Sequence, residues 1–417
     1  MARALQKYLA RWAEPTALLA EQLTGTFAFG LAIPALAEGA GLVDTLRTVP
    51  AGRGAPLVVV VINRSEAASA EQVADNRATV EAIEAAWPAE RALSDVASLH
   101  RFQDGALLRL DLVLPQKRAG VGLARKIGHD LLLAAWSRGQ LASDWLYSTD
   151  ADVQMPGDFF DPPGRSGAAL LQPFTHVPVD VELADATWRY EARLRHHVLG
   201  LRWAQSPYAF HNIGSTIACD AESYAKVRGF PVRAAAEDFY LLSKLSKIGP
   251  IVERRGQPLR IAGRRSWRVP FGTGAAITKA VDGEDAPPPL CYHPEIFSLL
   301  RRALAEMTDA VRRGQSLPAA EDSRYMAGLR ERTVAQLVDT INASGLAAGA
   351  RQRRLVEGFD ALQTLKLMHA WRNLGLADLP VEDALEMSPF CPAPPSDSTA
   401  VNEYLAALEL GNAVAGE

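Results

Sequence analysis

The chain has little cysteine: Cys219, Cys291 and Cys391 stand far apart, with no Cys-x-x-Cys pair. That spacing argues against a disulfide framework or a structural zinc site and suits a reducing cytoplasm. It also has little net charge, since 44 basic residues against 48 acidic ones leave a formal −4, which gives no general pull on nucleic acid. Basic residues do gather locally, in VERRGQPLRIAGRRSWR (252–268). Long apolar runs are missing as well. The opening MARALQKYLARWAEPTALLAEQL reads as an amphipathic helix with charges throughout, without the apolar core and small-residue cleavage site of a signal peptide. The most apolar later window, TFAFGLAIPALAEGAGLV, is interrupted by Pro34 and Glu38 and makes a poor membrane span. There is no internal repeat. The expectation is a soluble cytoplasmic protein, at most peripheral at a membrane, with no transmembrane segment and no nucleic-acid partner.

What is present is alternation. TFAFGLAIP (26–34), PLVVVVIN (56–63), ALLRLDLVLP (106–115) and DWLYSTD (144–150) have strand character. Between them EGAGLVDTLRTV (38–49), EQVADNRATVEAIEAAW (71–87) and ARKIGHDLLLAAWSR (124–138) have helical spacing. Strand and helix taking turns argue for an α/β fold with a mostly parallel sheet covered on both faces. Residues 166–275 mix strands with two helices; 282–290 is polar and Pro-rich, and 294–372 is helical. The expected organisation is an N-terminal helix (1–23), an α/β domain (24–281, with halves 24–153 and 154–281) and a helical C-terminal extension (282–417). That extension could cover a site, dock on a membrane or make a homodimer.

Within this frame LYSTDADVQMP (146–156) stands out, because a strand runs into two carboxylates one residue apart, Asp150 and Asp152. Side chains two apart on a strand share a face. Two negative charges so close disfavour each other's ionisation unless a cation or a basic side chain sits between them. A hard divalent ion, Mg²⁺ or Mn²⁺, is the natural candidate. Asp238, in AAAEDFYLL, opens a helix beside Glu237, where the helix dipole favours an ionised carboxylate. Such a group can take a proton from an attacking hydroxyl or simply cap the helix. Arg125 and Lys126 open another helix after GVGLA, and Arg264, Arg265 and Arg268 surround Trp267. Both clusters suit a phosphate-bearing ligand.

Five segments in order resemble glycosyltransferase family 2 and its GT-A fold: LAIPALAEGAGLVDTL, LVVVVINRSEAAS, AGVGLARKIGHDLLLAA, STDADVQMP and VRGFPVRAAAEDFYLLSKLSKIGPI. The resemblance covers roughly residues 26–275. It implies a metal-dependent transfer of one sugar from a nucleotide sugar to a hydroxyl acceptor, which is a small molecule, a glycan or a lipid-linked group. It further implies that Pro34, Glu38, Asn63, Arg125 and Asp150 line the nucleotide, that Asp150 and Asp152 hold the metal, and that Asp238 is the base with Glu237 orienting the acceptor. A direct displacement with one base would invert the anomeric carbon. The chain departs from the family at Asn63, where an aspartate is usual, and at Arg228, which replaces the first residue of Gly-Gly-Phe. The family's processive Gln-x-x-Arg-Trp motif is absent, and RRSWRVPFGTG stands there instead.

Other residues could serve the same site. His211 could line an acceptor pocket and His293 could supply a late metal ligand, although structural roles suit both. Trp188, Tyr190, Trp203 and Tyr208 could stack on a sugar, and helical spacing makes Trp188 and Tyr190 packing residues first. Two other functions fit parts of the pattern. A nucleotidyltransferase making a nucleotide sugar would need an early Gly-rich phosphate loop, which GLAIPALAEGAG is not. A non-catalytic glycan-binding or scaffold module would have no use for Asp150, Asp152 and Asp238 together.

Overall fold

Residues 58–62, four valines and an isoleucine, are wholly buried in the strand that carries them. β-Branched side chains fit a pleated surface, and so long an apolar run needs cover on both faces. The strand is the spine of an α/β unit. A computed structural model describes residues 2–266, 272–282, 289–318, 322–395 and 397–411. The strands are β1 (Phe29–Ala35), β2 (Pro56–Ser65), β3 (Ala89–Ser94), β4 (Ala97–Phe102), β5 (Gly105–Leu114) and β6 (Trp145–Ser148). There follow β7 (Val153–Gln154), β8 (Ala169–Leu171), β9 (Phe174–Pro178), β10 (Ile217–Asp220), β11 (Ile251–Glu253) and β12 (Leu259–Gly263).

Nine of these form one sheet in the order β11-β8-β10-β6-β1-β2-β5-β4-β3, and β7-β12-β9 form a small second sheet. The large sheet is mixed, which corrects the expectation of a mostly parallel one. Its centre, β6-β1-β2-β5, is parallel. On one side β10 runs antiparallel to both β6 and β8, and on the other β3 and β4 fold back antiparallel toward β5. Short connections leave β3-β4-β5 no choice, because a parallel crossover takes a dozen or more residues. The sequence pattern hid β3 and β4, since AERALS lies almost wholly exposed on the sheet's edge and carries no apolar alternation.

The helices that serve this unit are α1 (Ala2–Arg11), α2 (Gly41–Arg47), α3 (Ala70–Ala86) and α4 (Val121–Ser137). Ser69 starts α3 with a capping box, its hydroxyl accepting from Gln72 N while Gln72 Oε1 accepts from Ser69 N. α4 is buried all round its middle, a pattern that belongs to a helix covered on both sides. Leu31, Ile33, Val58, Val60 and Ile62 point into one core with Tyr147, Phe159, Phe160 and Leu259.

Further helices follow: α5 (Ala184–Trp203), α6 (Ala221–Lys226), α7 (Glu237–Leu245), α8 (Thr273–Asp282) and α9 (Pro294–Arg313). The chain divides into two compact units, Met1–Val179 with Asn212–Ala275, and Asp180–His211 with Ala276–Glu417. The second unit is helical. In it α5, which the sequence reading grouped with the second half of 24–281, gives Leu201 to a core with Ile296, Phe297, Met307 and Trp371. Its Ala192 and Leu199 join Cys291, Val381, Cys391 and Leu405 in a second cluster. Packing of its apolar side chains, rather than position in the chain, decides where α5 belongs. The three cysteines are buried and free. Among the described residues no helix is long and apolar enough to cross a membrane.

Candidate active site at the strand ends

The extended run of LYSTDADVQMP stops early. β6 ends at Ser148, and Ala151 and Asp152 form a turn, so strand alternation is not what sets the two aspartates. The turn is held from three sides. Thr149 N donates to Ala32 O of β1, Thr45 Oγ1 of α2 donates to Ala151 O at 2.7 Å, and Ala262 N of β12 donates to Asp152 O. Thr48 Oγ1 accepts from Met155 N just beyond. The expected basic partner is present, but there are two of them. Arg125 Nη2 meets Asp150 Oδ1 at 2.6 Å, and Arg264 Nε meets Asp152 Oδ2 at 2.6 Å.

Arg264 also reaches Glu38, its Nη2 donating to Oε2 at 2.8 Å. Glu38 lies just past the end of β1 and is positioned by a chain of amide contacts. Asn76 of α3 accepts from Ala37 N at 2.8 Å and donates to Asn63 O at 2.9 Å, while Asn63 Nδ2 donates to Ala35 O at 3.0 Å. Ala37 takes the left-handed backbone (φ 52°), an unfavourable conformation for alanine that the clip of Asn76 holds in place. Asn63 is thus buried in a structural contact at a place the resemblance assigned to the nucleotide. Pro34 is buried inside β1 rather than in a turn. β1 pairs with β6 only as far as Ala32, so Pro34 falls where that side of the ladder has ended.

Arg125 is the buried centre, with a side chain only 3% exposed. Its Nε donates to Glu237 Oε1 at 2.9 Å, its Nη1 to Ser148 Oγ at 2.8 Å and its Nη2 to Asp150, so all three nitrogens are engaged. Gly214 makes room for it, because a Cβ at that position would overlap Nη2. Burial by itself would favour release of the Arg125 proton, but the charges of Asp150 and Glu237 raise its pKa instead. Asp150 is pushed above the usual carboxylate range by burial, opposed by Arg125 and reinforced by Asp152 and Glu237. Its side chain keeps 38% exposure, so solvent moderates that rise.

Ala236, the cap before α7, takes the left-handed conformation (φ 60°), a second unfavourable alanine, here directly before the candidate pair Glu237 and Asp238. Asp238 Oδ1 accepts from Phe239 N at 2.7 Å, and the carboxylate lies on the helix's first turn, two residues inside the cap position. Burial, and next the charge of Glu237, push its pKa up to about 7.

Around the turn five carboxylates (Glu38, Asp150, Asp152, Glu237 and Asp238) meet two guanidiniums, Arg125 and Arg264. The surplus is negative, and the hard oxygens of Glu38, Asp150 and Asp152 follow the C-terminal ends of the parallel strands β1 and β6, where α/β sheets bind ligands. Among the described residues no group of three or more His, Cys, Asp or Glu side chains forms a ready metal cage. A magnesium-type ion needs none, since it is commonly held by one or two carboxylates with the rest of its shell from phosphates and water. The oxygen donors are of the kind such an ion takes, and Asp152 and Asp150 are the carboxylates that could hold it.

The remaining sequence-named residues lie elsewhere or do structural work. Lys126 is buried, donating to Tyr8 Oη at 2.7 Å and Asp130 Oδ2 at 2.6 Å, and thus ties α1 to α4. His211 Nε2 lies 2.7 Å from Glu409 Oε1 and His293 caps α9, accepting from Glu295 N, both within the second unit. Trp188 and Trp203 pack in that unit's cores, Tyr208 Oη donates to Val356 O, and Tyr190 lies on α5. Arg228 has φ 66°, a conformation that favours glycine, and its guanidinium lies 4.7 Å over Trp12. Arg265 is exposed, and Trp267 and Arg268 lie outside the described residues. Sequence reasoning missed Ser148 and Gly214. Ser148 could have been found two residues before Asp150, but nothing in NIGST announces that Gly214 backs an arginine.

No protein-family model matches this chain, and no curated protein matches it significantly.

Proposed function

We propose that this protein is a metal-dependent glycosyltransferase of GT-A type, transferring a sugar from a nucleotide sugar to a hydroxyl acceptor with inversion. The observation that carries the reading is the link made by Arg125 between the Asp150 turn and the Glu237–Asp238 helix start. One buried cation thereby ties a cation-hungry turn to a carboxylate pair whose second member has a raised pKa. In the proposed reaction the acceptor oxygen attacks the anomeric carbon while the bond to the diphosphate oxygen breaks. The bonding pair leaves with the nucleoside diphosphate, and the hydroxyl proton passes to Asp238 Oδ2. A pKa near 7 suits that task, because a base works best when its pKa lies near the operating pH. Glu237, fixed by Arg125, faces the acceptor side and supplies orientation. A divalent ion held by Asp152 and Asp150 would neutralise charge gathering on the leaving diphosphate.

The test is a panel of nucleotide sugars with Mg²⁺ or Mn²⁺, followed by slow hydrolysis and then by transfer. Asp152→Asn should lose most turnover and metal-linked nucleotide binding. Asp238→Asn should keep donor binding within a few-fold and lose transfer by roughly 10²-fold or more, the scale of general base catalysis. The absence of any metal-dependent turnover, together with no metal-dependent thermal shift with a nucleoside diphosphate, overturns the reading.

A further inference from the structure

The two arginines of the site are built differently. Arg125 is 3% exposed and carries three partners, whereas Arg264 keeps 27% exposure. Arg264 sits immediately after β12 and joins carboxylates from two other segments, Asp152 in the turn before β7 and Glu38 beyond β1. A guanidinium fork matches phosphate oxygens as well as it matches carboxylates. Ion pairs that retain solvent are weak and exchange readily. Arg264 therefore occupies, as a cation, the place where negative charge is most in need of one.

We propose that Arg264 is the resident counter-ion of the donor site, and that it moves from Asp152 and Glu38 to the donor's diphosphate when a divalent ion arrives. This rests on the reading of Asp152 as a metal ligand. No bond is made or broken beyond hydrogen bonds and metal coordination: one positive charge leaves the carboxylates, a doubly charged ion replaces it, and the freed guanidinium pairs with a phosphate oxygen. Metal alone must displace Arg264 with nothing to receive it, so it binds weakly. Metal with a diphosphate gives Arg264 a new partner, so the two bind together. The site then stays closed to free cations and opens to the loaded donor.

Equilibrium dialysis of the full chain, reading protein-bound manganese and phosphorus, tests this with Mn²⁺ alone and with Mn²⁺ plus inorganic pyrophosphate. Arg264→Met should bind Mn²⁺ alone about tenfold or more tightly than the unaltered protein, the scale of one charge-assisted hydrogen bond. Adding Asp152→Asn should abolish that gain. With Mn²⁺ present, Arg264→Met should retain pyrophosphate about tenfold less well. Arg264→Lys, which keeps the charge without the fork, should fall between the two in both measurements, and it carries the test if the methionine variant fails to fold. Equal Mn²⁺ binding with arginine, lysine or methionine at 264, lost on Asp152→Asn, overturns the exchange but leaves the metal site standing. No Mn²⁺ bound by any variant overturns both the exchange and the metal reading.

Discussion

Replacing Arg125 by methionine removes the guanidinium while keeping a side chain of comparable reach, and its cost follows from what is left behind. Glu237 is 5% exposed and would stay buried without its charge partner. Breaking a buried pair by removing one member costs about 3–5 kcal/mol, because the survivor is an uncompensated buried charge. Asp150 adds little, since at 38% exposure water can replace the lost contact. For a unit of this size each kcal/mol moves Tm by roughly 2–4 °C, so Arg125→Met should lower the first unit's transition by about 6–20 °C. Calorimetry on the whole chain is the assay, with the two units allowed separate transitions. The double variant Arg125→Met/Glu237→Leu leaves no buried charge between these two positions. It should therefore be less destabilised than the two single effects added together, by about 1–3 kcal/mol. A fall below about 2 °C for Arg125→Met, or strict additivity in the double variant, refutes the claim that this pair is an energetic centre.

Two further outcomes are expected. Gly214→Ala inserts a Cβ against Arg125 Nη2 and should cost about 1–3 kcal/mol as an overpacked contact, measured by urea unfolding, whereas no loss would mean the guanidinium has room to move. The raised pKa of Asp238, about 7 against an ordinary 3.8, means the folded protein holds that proton more tightly than the unfolded chain. Its contribution to stability is fully present below about pH 4 and is lost as pH rises through about 7, while a base with this pKa makes kcat/KM for transfer climb over the same range. Asp238→Asn should flatten the stability slope between pH 4 and 8, and an unchanged slope would show that Asp238 titrates as an ordinary carboxylate.

Local pattern made much of this molecule legible. The apolar run of β2, the alternation of β5 and the helical spacing of α3 and α4 all appear within a residue or three of their expected bounds, because burial stamps a period on the sequence. Asp150, Asp152, Glu237 and Asp238 were visible for a similar reason, as carboxylates concentrated where a strand ends and a helix begins. β3 was not legible, since an exposed edge strand owes its existence to pairing with β4 rather than to any apolar period, and β4, though mostly buried, carries no run of apolar residues to announce it. Nor was the allegiance of α5, which depends on which helices its apolar side chains meet. The partners of the carboxylates were equally out of reach. Arg125 and Glu237 are 112 residues apart, as are Arg264 and Asp152, and Arg264 lies 226 from Glu38. Sequence by itself determined the buried strands, the long helices and where charge accumulates, because those follow from neighbours a few residues away. Only the tertiary structure decided which cation answers which carboxylate, because an ion pair depends on distance in space, and the crossovers of the sheet set that distance.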